Sequence, residues 1–499
     1  MKYISTRGSD AETPFAAAIV KGLASDGGLF VPMEDVKFTA DELREMVGMD
    51  YKELAVKVVE RFATDFTTDE IRGCVERAYA AGKFPAECPV GMTKLNDNVD
   101  VLELFHGPTS AFKDMALQLL PEMLSVAIKK TGEDKEIIIL TATSGDTGKA
   151  ALEGFRDVEG IKVMVYYPSE GVSEMQKLQM ITQEGGNVNV IAIRGNFDNA
   201  QTGVKQIFGD REFAEKIAVN GKMLSSANSI NFGRLLPQVI YYFFAYMELI
   251  RRNTIAFGES LNFTVPTGNF GDILACYYAK KAGLPVGKII CASNSNNVVA
   301  EFIGSGLYNK NRDFLTTISP AMDILVSSNL ERLLYDACGQ KCDYVASLMA
   351  ELNQTGFYQV DNYTKQSVGE DFGSGWATES ETYETIAETY NKYNYLCDPH
   401  TAVGIKVYEK YHDASGDGTH TVCVSTASPF KFNKAVAKAI FGDDAISGLS
   451  EIEILDFLSD KTGESVPAPL KDLDKRPVRF KEVIDPADMK KKAEDFINE

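Results

Sequence analysis

The chain has 499 residues, of which 44% are hydrophobic and 24% charged, the usage of an ordinary globular protein with room for roughly three domains. Its 51 Lys and Arg stand against 71 Asp and Glu, a formal net charge of −20 that argues against nucleic acid or an anionic membrane as partner. No apolar run approaches the ~18 residues that cross a bilayer.

The opening residues, MKYISTRGSDAETPF, lack the apolar centre of a signal peptide, so a cytoplasmic protein is expected. Eight cysteines are scattered with no C-x-x-C pair and no histidine cluster, which predicts free thiols and no metal site.

In chain order, TPFAAAIVKGLASDGGLFVP reads as a helix, a Gly27-Gly28 turn and a short strand. Residues 40–66 show helical spacing of apolar side chains, and TTDEIRGCVERAYAAG opens with a capping signal and closes at Gly82. These predict a mainly helical N-terminal domain over 1–95. From about residue 100, short β-branched runs alternate with amphipathic ones: EIIILTA (136–142), IKVMVYYP (161–168), VNVIAI (188–193), LNFTV (261–265), KIICASN (288–294) and HTVCVST (420–426). Apolar throughout, they predict parallel strands buried on both faces, within a catalytic core over 96–430. Residues 431–499 read as C-terminal helices and a tail packed on that core. No feature marks an oligomeric state.

Open α/β sheets place their working groups on loops beyond the carboxyl ends of strands. Three such loops, TATSGDTGKA (141–150), PTGNFGD (266–272) and STASPFKF (425–432), are rich in Gly and small polar residues and suit anion capture at a helix start. The first is no nucleotide P-loop, because Ala150 follows Gly148-Lys149 where Ser or Thr is required, and no G-x-G-x-x-G follows a strand. Lys113, in the apolar stretch LELFHGPTSAFKDMALQLLPEML, is either a surface cation or a desolvated amine able to form an imine with a carbonyl compound. Its company, a Gly-rich cradle and a late hydroxyl, is what a pyridoxal phosphate site needs. SSANSINFGR (225–234) offers Asn228, Ser229 and Arg234 before an apolar helix, either as a second anion site or as a helix cap with a surface charge.

HGPTSAFKDMALQ, TATSGDTGKAA, PTGNFGD, SPAMDILVSSNLERLL (319–334) and DPHTAVG (398–404), in this order, resemble the threonine synthase family, in its longer branch with an extra N-terminal domain. The resemblance implies two open, mostly parallel sheets flanked by helices, of the tryptophan synthase β-subunit type, with a mobile lobe over roughly 110–230. It also implies pyridoxal 5'-phosphate as cofactor and conversion of the small molecule O-phospho-L-homoserine, with water, to L-threonine and phosphate. Carried over by residue, it makes Lys113 the cofactor anchor and proton shuttle, and Gly268, Asn269, Phe270 and Gly271 the cradle of the cofactor phosphate. Thr426 becomes the neutral partner of the pyridine nitrogen. Thr143, Ser144, Gly145, Asp146 and Thr147 become the loop for the substrate carboxylate, with Asp146 also beside the cofactor. Asn228, Ser229 and Arg234 receive the substrate phosphate. Ser428 departs from the family, which usually has histidine there, and His106 and His400 are expected to pack and hydrogen-bond near the site. A related serine or threonine dehydratase and a non-catalytic relative are the competing readings.

Overall fold

A computed structural model describes residues 1–498 other than 10, 85–87, 144 and 171. Capping residues decide where the N-terminal helices begin. Thr39 with Glu42, Asp50 with Glu53 and Thr67 with Glu70 each form a reciprocal capping box, opening helices Ala40–Met46, Tyr51–Phe62 and Thr68–Ala78. The helical reading of 40–66 is thus interrupted at Val47 to Asp50, because Asp50 accepts from Glu53 N in an extended conformation and starts a new helix. Helix Phe15–Lys21 and the antiparallel pair Tyr3–Ser5 and Phe30–Pro32 complete this region. It packs on helices Leu119–Thr131 and Phe232–Arg251.

The predicted apolar runs form two sheets. The larger has six strands in the order Phe372–Trp376, Val286–Ser293, Leu261–Pro266, Thr421–Ser425, Val99–Glu103 and Gly91–Lys94, all parallel except the last. The smaller has five parallel strands in the order Val483–Ile484, Val188–Ile193, Ile161–Pro168, Glu136–Ala142 and Lys222–Ser225. The chain's tail therefore does more than cover the core: its short strand extends the smaller sheet, and Met489, Ala493, Phe496 and Ile497 of helix Met489–Asn498 are buried against it. The long helix Phe232–Arg251 is buried along most of its length because its sequence, FGRLLPQVIYYFFAYMELIR, is apolar on nearly every face.

Parallel strands carry their following loops to the same edge. The loops after Val99–Glu103, Leu261–Pro266 and Thr421–Ser425 of the larger sheet meet those after Glu136–Ala142 and Lys222–Ser225 of the smaller one. Among the described residues no helix is long and apolar enough to cross a membrane.

Candidate active site

Where these strand ends converge, a cavity of about 750 Å³ opens between the sheets. It is lined by Lys113, Thr143, Asp146, Thr147, Asn228, Ser229, Arg234, Gly268, Asn269, Phe270, Gly271 and Thr426. Residues far apart in sequence are thus brought together as expected. Ser144 lies outside the described residues.

Lys113 opens helix Lys113–Leu117 after a loop held to the exit of strand Thr421–Ser425. Leu104 N donates to Ser425 O, Phe112 N to Thr426 O and Ser428 N to Ser110 O, at 3.0, 2.8 and 3.1 Å. Burial, aided by the Arg234 and Lys431 charges, lowers the Lys113 ammonium to about 8 against the opposing pull of Asp146. Its Nζ lies 3.7 Å from Asp146 Oδ2 and 4.5 Å from the centre of the Phe112 ring.

Asp146, first residue of helix Asp146–Gly154, accepts from Lys431 Nζ at 2.7 Å and Gln176 Nε2 at 2.8 Å. Burial alone would raise this carboxyl, but Lys431 and Lys113 outweigh it and hold it well below the usual carboxylate range. Thr143 Oγ1 accepts from Gly145 N at 3.0 Å and Gly148 N at 2.9 Å, closing the loop on itself. Gly145 does not join the cavity lining. Its N–H is engaged, and at φ 143° with a Cβ position only 2.4 Å from the Gln176 amide carbon it can be nothing but glycine, so it shapes the loop.

The loop after strand Leu261–Pro266 is strained into place. Phe270 adopts φ 61°, the left-handed region that a bulky residue avoids, directly before helix Gly271–Lys281. Ser327 Oγ donates to Gly268 O at 2.8 Å, and Asn329 N and Nδ2 donate to Asn269 O at 3.1 and 3.0 Å. Among the described residues nothing accepts from the N–H groups of Gly268, Asn269 and Phe270, which leaves three donors beside a positive helix end. Behind them, burial pushes Asp272 up to about 6 although Tyr241 and Tyr242 donate to it.

Arg234 is buried in the first turn of helix Phe232–Arg251, and burial lowers its guanidinium to about 10. It donates to Ala227 O at 2.8 Å, and among the described residues no carboxylate pairs with it. The surface-charge reading fails on this burial, and the helix cap is Asn231, whose side chain accepts from Gly233 N. A buried cation to which the described residues offer no carboxylate, with Asn228 and Ser229 on the same wall, is chemically suited to receive an anion.

The two histidines part company. His400 lines the cavity; its Nδ1 bonds to Asp398 and its Nε2 accepts from Ala321 N at 3.1 Å. His106 is outside the lining, where its Nε2 meets Glu103 Oε2 at 2.9 Å. Ser428 caps the short helical turn Pro429–Phe432 by accepting from Phe430 N.

Residues 2–79 match the family described as Threonine synthase N terminus, residues 94–352 match Pyridoxal-phosphate dependent enzyme, and residues 401–497 match Threonine synthase, C-terminal. A threonine synthase of Pseudomonas aeruginosa is 41% identical, with 89% of this chain and 91% of that one covered. The chain belongs to the threonine synthase family. A solved PLP-bound threonine synthase from Brucella melitensis superimposes with a TM-score of 0.88 at 37% identity, covering 100% of this chain and 99% of that one. Threonine synthase-like 1 of Pongo abelii is 40% identical over 85% of this chain and 58% of that longer protein.

Within this threonine synthase framework, the structure adds cavity groups that sequence reasoning had not singled out. Gln176, Gln238 and Asp272 line the cavity, and Lys431 reaches Asp146 from behind. Lys431 had a legible signal, a lysine between Phe430 and Phe432 in a quoted loop, but its partner 285 positions earlier appears only in three dimensions.

Proposed function

We propose that this protein is an active threonine synthase, converting O-phospho-L-homoserine and water to L-threonine and phosphate by γ-elimination and β-addition of water. The observation that carries the reading is one cavity holding both an amine lowered to about 8, Lys113, and a buried guanidinium, Arg234, that no carboxylate among the described residues pairs with. A dehydratase's unphosphorylated substrate has a single anionic group, its carboxylate, for which the loop of Thr143 and Thr147 already provides.

Pyridoxal phosphate fits the donor set. Lys113 supplies the amine, the free N–H groups of Gly268 to Phe270 supply a phosphate cradle that side-chain atoms do not fill, and Thr426 supplies a neutral hydroxyl. When bound, the cofactor supplies an electron sink for charge developing on the substrate's α carbon. The protein's own groups do the rest. Lys113, neutral in part at physiological pH, anchors the cofactor and then carries protons at the substrate's α and β carbons. Arg234, Asn228 and Ser229 hold the leaving phosphate. Asp146 is kept ionised by Lys431 and occupied by Gln176, so the hydroxyls of Thr143 and Thr147 and the helix-start N–H groups are what remain for the substrate carboxylate. Gly145 gives that loop its shape. Closure of the lobe over roughly 110–230 would shield the reacting groups from water. Placement in the cytoplasm accords with eight free cysteines.

The deciding experiment is an absorbance spectrum of the protein with pyridoxal phosphate, for the native chain and Lys113→Ala, with phosphate release assayed on O-phospho-L-homoserine. A lysine-dependent band with threonine and phosphate formed in step is expected. A band without phosphate release, accompanied by turnover of serine or threonine, would mean the dehydratase; no band would mean a relative without this chemistry.

A further inference from the structure

Residues 319–334 contribute no group to the roles assigned above, yet they frame both anion loops. Arg332, fully buried in helix Leu330–Ala337, spends its guanidinium on oxygen atoms of two distant segments and of its near neighbour Asn329. Nε donates to Phe30 O at 2.9 Å, Nη2 to Ile230 O at 2.6 Å, and Nη1 to Ser229 O at 3.5 Å and to Asn329 Oδ1. Asn329 in turn gives both its main-chain N and its Nδ2 to Asn269 O. One side chain and its neighbour thus hold the N-terminal strand Phe30–Pro32, the loop of Asn228 and Ser229, and the loop of Gly268 to Gly271.

Burying a guanidinium costs stability unless every donor is satisfied, and well-packed apolar side chains commonly do as well or better. Arg332 does not line the cavity, so it binds neither anion itself. What its planar fork supplies is fixed separation: a rigid set of donors pins carbonyls whose own chain segments carry the anion-binding groups. Resting on the assignment of these two loops, we propose that Arg332, acting through Asn329, is a positioning residue that sets the two phosphate sites in register and ties both to the N-terminal domain.

The test is calorimetric titration of the cofactor-free full chain with pyridoxal phosphate and, separately, of the pyridoxal phosphate-loaded chain with inorganic phosphate, alongside melting temperatures. Arg332→Lys, which keeps the charge but cannot span the carbonyls, is expected to weaken both ligands about tenfold, the effect of one lost charge-assisted hydrogen bond. Asn329→Ala, which leaves Arg332 its three carbonyls, is expected to weaken pyridoxal phosphate about tenfold and inorganic phosphate by no more than about twofold. Should Arg332→Lys fail to fold, the Asn329→Ala asymmetry decides alone. A lower melting temperature with both affinities at native values would mean a purely structural arginine and overturn the proposal. So would loss at one loop only in Arg332→Lys, or unchanged cofactor affinity in Asn329→Ala. A native chain that binds neither ligand would overturn the functional reading itself, and the proposal with it.

Discussion

Lys431 Nζ and Asp146 Oδ1, 2.7 Å apart and both buried, join the segment leaving the larger sheet to the helix start leaving the smaller one. Lys431 also donates to Thr109 O at 2.9 Å, so the same ammonium steadies the loop that delivers Lys113. Removing it leaves a buried carboxylate with its main counter-charge gone. Lys431→Met should therefore lose about 3–5 kcal/mol of stability, the cost of breaking a buried pair, read as a lower urea midpoint.

The pH dependence of that pair has a definite sign. Asp146 is held below the usual carboxylate range in the folded chain, so its contribution is complete above the unfolded value of about 4 and is lost as pH falls toward the folded one. Urea midpoints taken from pH 6 to pH 3 should fall more steeply for the native chain than for Lys431→Met. Parallel profiles would contradict this account.

Lys113 must be neutral to capture a carbonyl compound. With its ammonium lowered to about 8, the rate of pyridoxal phosphate capture by cofactor-free protein should rise with pH and inflect near that value. An inflection near the ordinary lysine value of about 10.4 would show that burial is not acting on this amine. Lys113→Ala should show no pH-dependent band at all.

The role proposed for Arg234 sets stability against function. Arg234→Leu removes a buried charge that no carboxylate among the described residues balances, so the cofactor-free protein should gain about 1–3 kcal/mol. The same variant should lose about 2–4 kcal/mol in kcat/KM for O-phospho-L-homoserine, roughly 30- to 1000-fold. A variant that loses activity and stability together would point to a structural guanidinium.

At Gly268 an added Cβ would sit 2.4 Å from Ala321 O, a backbone atom fixed by the Ala321 N to His400 bond. Gly268→Ala should displace the loop, cost about 1–3 kcal/mol, and weaken pyridoxal phosphate by about one to two decades. Equilibrium titration of the cofactor band measures it.

How far the sequence foretold this arrangement depends on the range of the forces involved. EIIILTA, IKVMVYYP and VNVIAI became strands with the anticipated limits, because an apolar β-branched run is a local signal of two-sided burial. The cavity-lining loops were legible because strand ends and Gly-rich turns are local too. The break at Asp50 was missed because its cap interrupts a hydrophobic spacing that continues on either side. The partners of Lys431 and Arg332 were beyond reach for another reason: only the meeting of distant segments reveals the carbonyls and the carboxylate that wait for these two cations.

The strand Val483–Ile484, paired to Val188–Ile193, and the helix behind it act as a clasp on the smaller sheet. Without residues 483–498, strand Val188–Ile193 has an open edge and the apolar faces of Ile191, Ile193, Ala200 and Val204 lack their cover. The lobe that supplies Asp146 and Thr147 is thus completed by residues 483–498, far away in sequence. A variant lacking residues 483–499 would keep every cavity-lining group and still present an open, apolar sheet edge to its neighbours.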